Sequence, residues 1–223
     1  MSRLPARQTV APGCLPRHRH AEAYAAVVLA GTYEEAGDNG RRRVGPGDVV
    51  VHRAWQAHLN RTPGAGAQVL NLPLPADHLP AFGRADDVDA LVRAAERDPA
   101  EASARLAVML RPAPPPAADW PEQLAVALAQ GDATPLGDWA ARFGVSREQL
   151  SRGFGKVFGV TPQRFRCEAR TRAALGDLAA SPLALAELAL AHGFADQAHM
   201  TRAVRALSGR PPGAWRASNG FKT

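Results

Sequence analysis

In the stretch GVSREQLSRGFGKVFGVTP, residues 144–162, the polar side chains are as regularly placed as the apolar ones. Leu150, Phe154 and Val157 recur at helical spacing and predict a stripe that pins a helix onto its neighbours. Arg147, Glu148, Ser151, Arg152 and Lys156 fall on the opposite face. Such a face is either merely solvated or free to meet a partner, and nucleic acid is one that these side chains suit. Arginine grips guanine O6 and N7, glutamate accepts from cytosine N4, and lysine meets phosphate as a point charge. Ser146 with Gln149 makes a capping box that fixes where the helix begins.

A second group of chemically capable residues lies near the N-terminus. In HRHAEAY, residues 18–24, a strand's period of two predicts His18, His20, Glu22 and Tyr24 on one face. Imidazoles and a carboxylate so aligned are ligands for a divalent metal or hydrogen-bonding partners for an organic molecule.

The elements that must position these residues fall into three regions. From about residue 7 to 75, YAAVVLAG, GTYEE, RRRV, GDVVVH and QVLNLPL read as short strands separated by Gly, Pro and Asn-Gly signals. DNG at 38–40 suits a hairpin turn, and strands this short suggest a small barrel or sandwich. From Asp86 the period becomes helical, with Val88, Leu91, Val92 and Ala95 on one face. Asp98-Pro99 then caps a second helix carrying Ala102, Leu106 and Met109. This hairpin, 86–110, either covers the barrel or pairs with its copy in a second chain. RPAPPPAA, 111–118, is stiff and is the expected boundary; after it WPEQLAVALAQ opens a run of helices to the end.

Charge follows the same division. From Pro135 onward there are 13 Lys+Arg against 6 Asp+Glu, a net +7, whereas the first 134 residues hold 14 against 15, a net −1. A polyanion partner for one half alone is implied. The 46% hydrophobic content suffices for two cores. No window reaches the roughly 18–20 apolar residues of a membrane span, and the N-terminus lacks the apolar core of a signal peptide. Cys14 and Cys167, far apart and without metal-type spacing, read as reduced thiols of a cytoplasmic protein.

The C-terminal part repeats itself. LGDWAARFGVSREQLSRGFGKVFGVTPQRFR from Leu136 aligns with LAELALAHGFADQAHMTRAVRALSGRPPGAWR from Leu185, at an offset of 49 up to Gly144 and Gly193 and of 50 thereafter. Each copy predicts helix, glycine turn, helix: about 135–143 with 147–158, and about 182–192 with 197–208. Thr134-Pro135 and Ser181-Pro182 are the expected starts of the two copies. Between them a helix of about 19 residues from Pro162 spans roughly 28 Å. Successive major-groove faces lie about 34 Å apart, so one long helix would hold two reading heads on one side of DNA.

These residues resemble the signature of the AraC-type (arabinose-regulator-like) transcription factors, with LALAHGFADQAHMTRAVRALSGRPPGAWR matching its second unit and residues 120–218 covered. Met200 and Val204 stand where Phe is usual, and Gly153 and Gly155 loosen the first recognition helix. The resemblance implies that Glu148, Ser151 and Arg152, then Gln197, Ala198, His199, Thr201 and Arg202, face base edges. It implies phosphate contacts at Lys156, Arg164 and Arg205. It also implies promoter DNA as partner, RNA polymerase if the chain is an activator, and no enzymatic activity.

The N-terminal segments resemble a cupin barrel: the H-x-H pair, the P-G-D turn and a later histidine, His58. Metal-binding cupins add a glutamate four or five residues beyond the pair, a position held here by Tyr24 or Ala25. Three readings stay open. His18, His20 and His58 hold a Zn-like divalent ion with Glu22 in reserve; or they hydrogen-bond an organic effector walled by Tyr24 and Trp55; or the site is a relict that only stabilises the barrel.

The expected architecture is therefore α+β in two domains. A cupin-like sensor barrel (1–80) and a helical hairpin (86–110, a candidate homodimer contact) precede a linker (111–118) and an all-α double helix-turn-helix domain (119–218). A metal-dependent cupin dioxygenase or isomerase is the rival, and the missing glutamate counts against it. A non-specific DNA-compacting protein would be basic throughout, which this chain is not.

Overall fold

The runs at 24–28 and 49–51 are buried residue after residue, because their strands are covered on both faces. The computed structural model describes residues 6–74, 79–114, 119–178 and 180–218. Residues 157–159 apart, which group with the first unit, the chain divides between Asp119 and Trp120 into two units, each with its own core.

The first unit contains β1 (Arg7–Val10), β2 (Gly13–Arg19), β3 (Tyr24–Gly31), β4 (Tyr33–Gly37), β5 (Gly40–Val44), β6 (Asp48–His52), β7 (Ala57–Thr62), β8 (Ala67–Pro73), β9 (Phe82–Arg84) and β10 (Arg111–Pro112). They form two antiparallel sheets, in the orders β1-β8-β3-β6-β9-β10 and β2-β7-β4-β5. The expected barrel is not closed: among the described residues no strand pairs from one sheet to the other. Pro12, which has no N–H to give a ladder, and Gly13, at φ +117°, lie where the chain leaves β1 for the other sheet. Arg111–Pro112, from the expected linker, adds a two-residue edge strand; residues 115–118 of that linker lie outside the described ones.

One face of the six-stranded sheet, with Ala25, Val27, Val49, Val51, Leu70 and Leu72, packs under a helical hairpin. That hairpin is α1 (Val88–Arg97) and α2 (Pro99–Met109), N-capped by Asp87 and Asp98 through bonds of 2.8 Å to the Ala90 and Ala100 N–H groups. Leu91, Ala94, Ala102 and Leu106 are buried against the sheet, so this part of the apolar stripe covers it. The other face carries Val28, Val50, Ala67 and Val69, which cluster with Tyr33 and Val44 of the four-stranded sheet. The DNG segment is a two-residue hairpin between β4 and β5, in which Gly37 pairs with Gly40 and Gly40 takes φ +95°.

The second unit is helical: α3 (Trp120–Ala129), α4 (Leu136–Arg142), α5 (Arg147–Phe158), α6 (Pro162–Leu178), α7 (Leu185–Ala191), α8 (Gln197–Ser208) and α9 (Pro212–Ser218). Two starts differ from expectation. Pro135 is itself the N-cap of α4 and makes no side-chain bond. After Ser181 accepts from the Leu183 N–H, α7 opens only at Leu185, where Glu187 accepts from the Ala184 N–H at 2.9 Å. The stripe of α5 runs through Leu150, Phe154 and Phe158, all buried, with Val157 beside it only half-buried. Among the described residues no helix is long and apolar enough to cross a membrane.

Candidate nucleic-acid interface and buried histidine cluster

The two helical copies are built by the same local devices. Gly144 and Gly193 take φ +66° and +69°, the left-handed conformation that reverses the chain between two helices. Directly after them Val145 N–H bonds Ala140 O at 3.0 Å, and Phe194 N–H bonds Ala189 O at 2.9 Å. The second helix of each pair is then fixed by a cap. Ser146 Oγ accepts from Gln149 N–H at 3.1 Å while Gln149 Oε1 accepts from Ser146 N–H at 2.8 Å, the expected capping box. In the other copy Asp196 accepts from His199 N–H at 2.6 Å. Gly159 and Gly209, at φ +72° and +74°, follow the two helices. Between the copies lies α6, 17 residues and about 25 Å long. Phe154 of α5 meets Phe165 of α6 edge to face at 5.3 Å. Met200 and Val204, at the positions where Phe is usual, are fully buried and fill the same role in α8.

With the apolar stripes buried, the polar faces point outward. Arg147, Glu148, Arg152 and Lys156 are exposed on α5, as are Gln197, Ala198, Arg202 and Arg205 on α8. Ser151, His199 and Thr201 are half-buried beside them. The His199 ring packs edge-on against Phe194 at 5.2 Å. Arg164, exposed on α6, is ion-paired with Glu168 at 3.1 Å. Gly153 is not simply a flaw in α5. A Cβ there would stand 2.6 Å from Cζ2 of Trp120, so the glycine makes room for an indole from α3.

In the first unit the histidines meet between the sheets, but not along one strand. β2 ends at Arg19 and β3 starts at Tyr24, so His18 lies in a strand, His20 just beyond it and Glu22 in the connecting bend. Glu22 lines a separate surface groove with Ala23, Asn71 and Pro73. Trp55 is buried and holds φ +64°, a conformation strained for a bulky residue; its N–H bonds the His20 carbonyl at 2.8 Å. It fixes the histidine turn rather than walling the cavity.

His58 of β7 is the hub. It pairs in register with His18 on β2 and with Gly37 on β4. A Cβ on Gly37 would stand 2.8 Å from the His58 Cβ, so glycine allows the close approach. The His58 ring lies 4.3 Å from His18, 5.6 Å from His20 and 4.3 Å from His52, and Tyr24 stacks on His52 at 4.5 Å. His18, His20 and His58 therefore do come together, with ligand nitrogens within 4.8 Å of one another. So do Glu35, His52 and His58, all three buried. Glu35 Oε2 lies 3.4 Å from His52 Nε2.

Burial first, and then the neighbouring charges of His18 and His52, lowers the His20 pKa to about 4. Burial likewise pushes His58 well below the usual range, helped by His52, His18, His20 and Arg17. Both imidazoles are neutral at pH 7, the form that binds metal. His18 Nδ1 donates to the Pro16 carbonyl at 2.9 Å, leaving its Nε2 as the atom with a free lone pair. Tyr24 and Tyr33 are held protonated by burial and by the Glu35 charge.

Glu35, His52 and Asn60 are the site residues that the sequence reading missed. Glu35 stands two residues after buried Tyr33 on β4, and His52 two after buried Val50 on β6. Strand alternation carried the signal, but which sheet faces each residue toward the cluster depends on pairings remote in sequence.

Residues 139–218 match a family model described as a helix-turn-helix domain. No curated protein matches the chain. Among solved structures, a Chromobacterium violaceum transcriptional regulator with an AraC-type DNA-binding domain is 24% identical over 47% of this chain and 95% of its own, with a TM-score of 0.42. A probable AraC family transcriptional regulator from Rhodopseudomonas palustris is 21% identical over 46% and 98%, at 0.43. ToxT from Vibrio cholerae is 9% identical over 96% and 98%, at 0.45. These remain likenesses at such scores. The domain match and the two capped units carry the assignment: residues 139–218 of this chain are a helix-turn-helix domain.

Proposed function

We propose that the chain is a sequence-specific, cytoplasmic transcription regulator in which the helix-turn-helix domain binds promoter DNA and the sheet unit senses a small ligand or a metal ion. The observation that carries this reading is the duplication itself. Two helices, each started by its own cap, bury equivalent apolar residues and expose Arg152 and Arg202 at the same position fifty residues apart. The early residues of such helices meet base edges in the major groove. Arg152, Ser151 and Glu148 read one half-site; Gln197, Ala198, His199, Thr201 and Arg202 read the other. Arg147, Lys156, Arg164 and Arg205 hold phosphates, with α6 setting the spacing. His18, His20 and His58 belong to the sensing site, with Tyr24 beside them. RNA polymerase is a partner if regulation is positive, and a second copy of the chain if the outer side of the α1–α2 hairpin is an interface.

The test is selection of bound duplexes from a random pool by the full-length chain, followed by titration of the winner against scrambled DNA. A bipartite consensus bound at least about 10³-fold more tightly than scrambled sequence is expected. Equal affinity for both would overturn the reading. The enzymatic alternative rested its weakness on a missing glutamate, and Glu35 now supplies a carboxylate. What opposes it is space, since the cavity at the cluster is about 40 Å³, too small for an organic substrate.

A further inference from the structure

The cluster between the sheets holds two overlapping triads that share His58, and they are not equivalent. His18 and His20 are half-buried, and His18 is already oriented by the Pro16 carbonyl. Glu35, His52 and His58 are 2%, 3% and 4% exposed, which makes the first a carboxylate sealed in a protein interior. Glu35 Oε2 and His58 Nδ1, and Asn60 Oδ1 beside them, have no hydrogen-bond partner among the described residues. Buried acceptors in this condition cost stability unless something satisfies them. Arg17, whose charge acts on His58, is bonded to Asp38 at 2.7 Å and to the Ala57 carbonyl.

Geometry says what would satisfy them. Nitrogen and oxygen ligands about 2.0–2.2 Å from a tetrahedral ion stand roughly 3.3–3.5 Å apart. Glu35 Oε2 and His52 Nε2 are 3.4 Å apart. The cavity of about 40 Å³ fits an ion and a bound water, not a sugar or a fatty acid. Two imidazoles and one carboxylate form a borderline donor set that suits Zn²⁺, Fe²⁺, Ni²⁺ or Co²⁺ and does not suit Ca²⁺ or Mg²⁺.

We infer that Glu35, His52 and His58 form a binding site for one divalent transition-metal ion, with His18 and His20 on its outer side as orienting residues rather than primary ligands. Glu35 thereby takes the place of the glutamate that the sequence lacks beyond the H-x-H pair, and it does so from another strand. The inference rests on the reading of the sheet unit as the sensing half, and it names the chemical class of what is sensed.

The experiment uses the full-length chain stripped with chelator and titrated with Zn²⁺ and Co²⁺. The wild type takes up one equivalent. Glu35→Gln, close to isosteric, loses affinity by more than the roughly 10–100-fold that loss of an outer partner costs, and the visible Co²⁺ bands collapse. The double variant His18→Asn/His20→Asn loses no more than that and keeps the bands. No uptake by the wild type, wild-type affinity in Glu35→Gln, or loss confined to the double variant would each overturn the assignment. Should Glu35→Gln fail to fold, ¹¹³Cd–¹H couplings in the wild type decide. Coupling to His52 and His58 supports the site, and coupling to His18 and His20 with none to His52 overturns it. DNA affinity measured on the same samples keeps the two ideas apart. Uptake as described with operator binding indifferent to the ion leaves the site standing and removes the sensing role.

Discussion

Arg152 and Arg202 occupy one position in two copies of a unit, fifty residues apart. Glu35, His52 and His58 come from three strands in two sheets. The first pair is placed by bonds that span three to five residues: a cap, a glycine turn, a stripe of apolar side chains. The second group is placed by strand register and by the facing of one sheet on another, both long-range. A capped helix with an exposed polar face repeats easily because it is made of local structure. A buried ligand site does not, because each donor is delivered by a different part of the chain.

The largest test of the likeness between the copies concerns their cores. Phe154→Ala should lower stability by about 3–5 kcal/mol and Met200→Ala by about 2–5 kcal/mol, since both side chains are fully buried. Urea titration followed by tryptophan fluorescence reads the loss. A Met200→Ala variant as stable as the parent would mean that the second copy does not depend on that stripe as the first depends on Phe154.

This contrast also explains what could be read from the chain before folding. The capping box at Ser146 and Gln149, the Asp87 and Asp98 caps and the Asp-Asn-Gly hairpin were legible because each is decided within a few residues. The repeat made Arg152 and Arg202 legible together. Phe158 was overlooked in favour of Val157 because both fit a helical period and only packing distinguishes them. HRHAEAY looked like one strand because alternation survives a bend: His18 and Tyr24 still reach the same cluster although β2 and β3 lie in different sheets. Glu35 was invisible as a ligand because YEEAG offers two adjacent glutamates, and only its register against Asn60 shows which one faces inward.

A smaller effect separates reading from holding. Arg202→Ala should relax preference at one base pair by about 1–3 kcal/mol, and Arg152→Ala should do the same at a second position. Lys156→Ala should weaken all duplexes alike and flatten the salt dependence by about 0.9 in log–log slope. Competition titrations on single-base operator variants measure the first, and affinity from low to high salt measures the second. If Arg202→Ala lost specific and random DNA equally, α8 would hold the backbone and the copies would differ in function despite their shared build.

Smaller again are the caps. Ser146→Ala and Asp196→Ala should each cost about 1 kcal/mol, because each leaves an N–H at the start of α5 or α8 without its side-chain acceptor. The Asp196 carboxylate also sits at the positive end of its helix, so its loss should shrink with added salt while that of Ser146→Ala should not. Thermal melts at two salt concentrations compare them. Equal salt sensitivity would assign both effects to the hydrogen bond alone.

The finest test lies inside α5, where helix propensity and packing disagree. By propensity, replacing either glycine with alanine stabilises a helix by about 1 kcal/mol. At Gly155 the nearest atom to a new Cβ is the Val160 carbonyl oxygen at 3.8 Å, ordinary contact, so Gly155→Ala should raise stability by nearly that amount. At Gly153 the Cβ would stand 2.6 Å from Cζ2 and 2.8 Å from Cη2 of Trp120, and the indole must shift. Gly153→Ala should therefore destabilise, and doing so in a Trp120→Leu background should restore the propensity gain. A double-mutant cycle by urea denaturation isolates that coupling. Stabilisation by Gly153→Ala in the parent would mean that the glycine is only a weak spot of the first copy. The opposite sign makes it the notch into which α3 locks α5, a feature with no counterpart at Ala203 of the second copy.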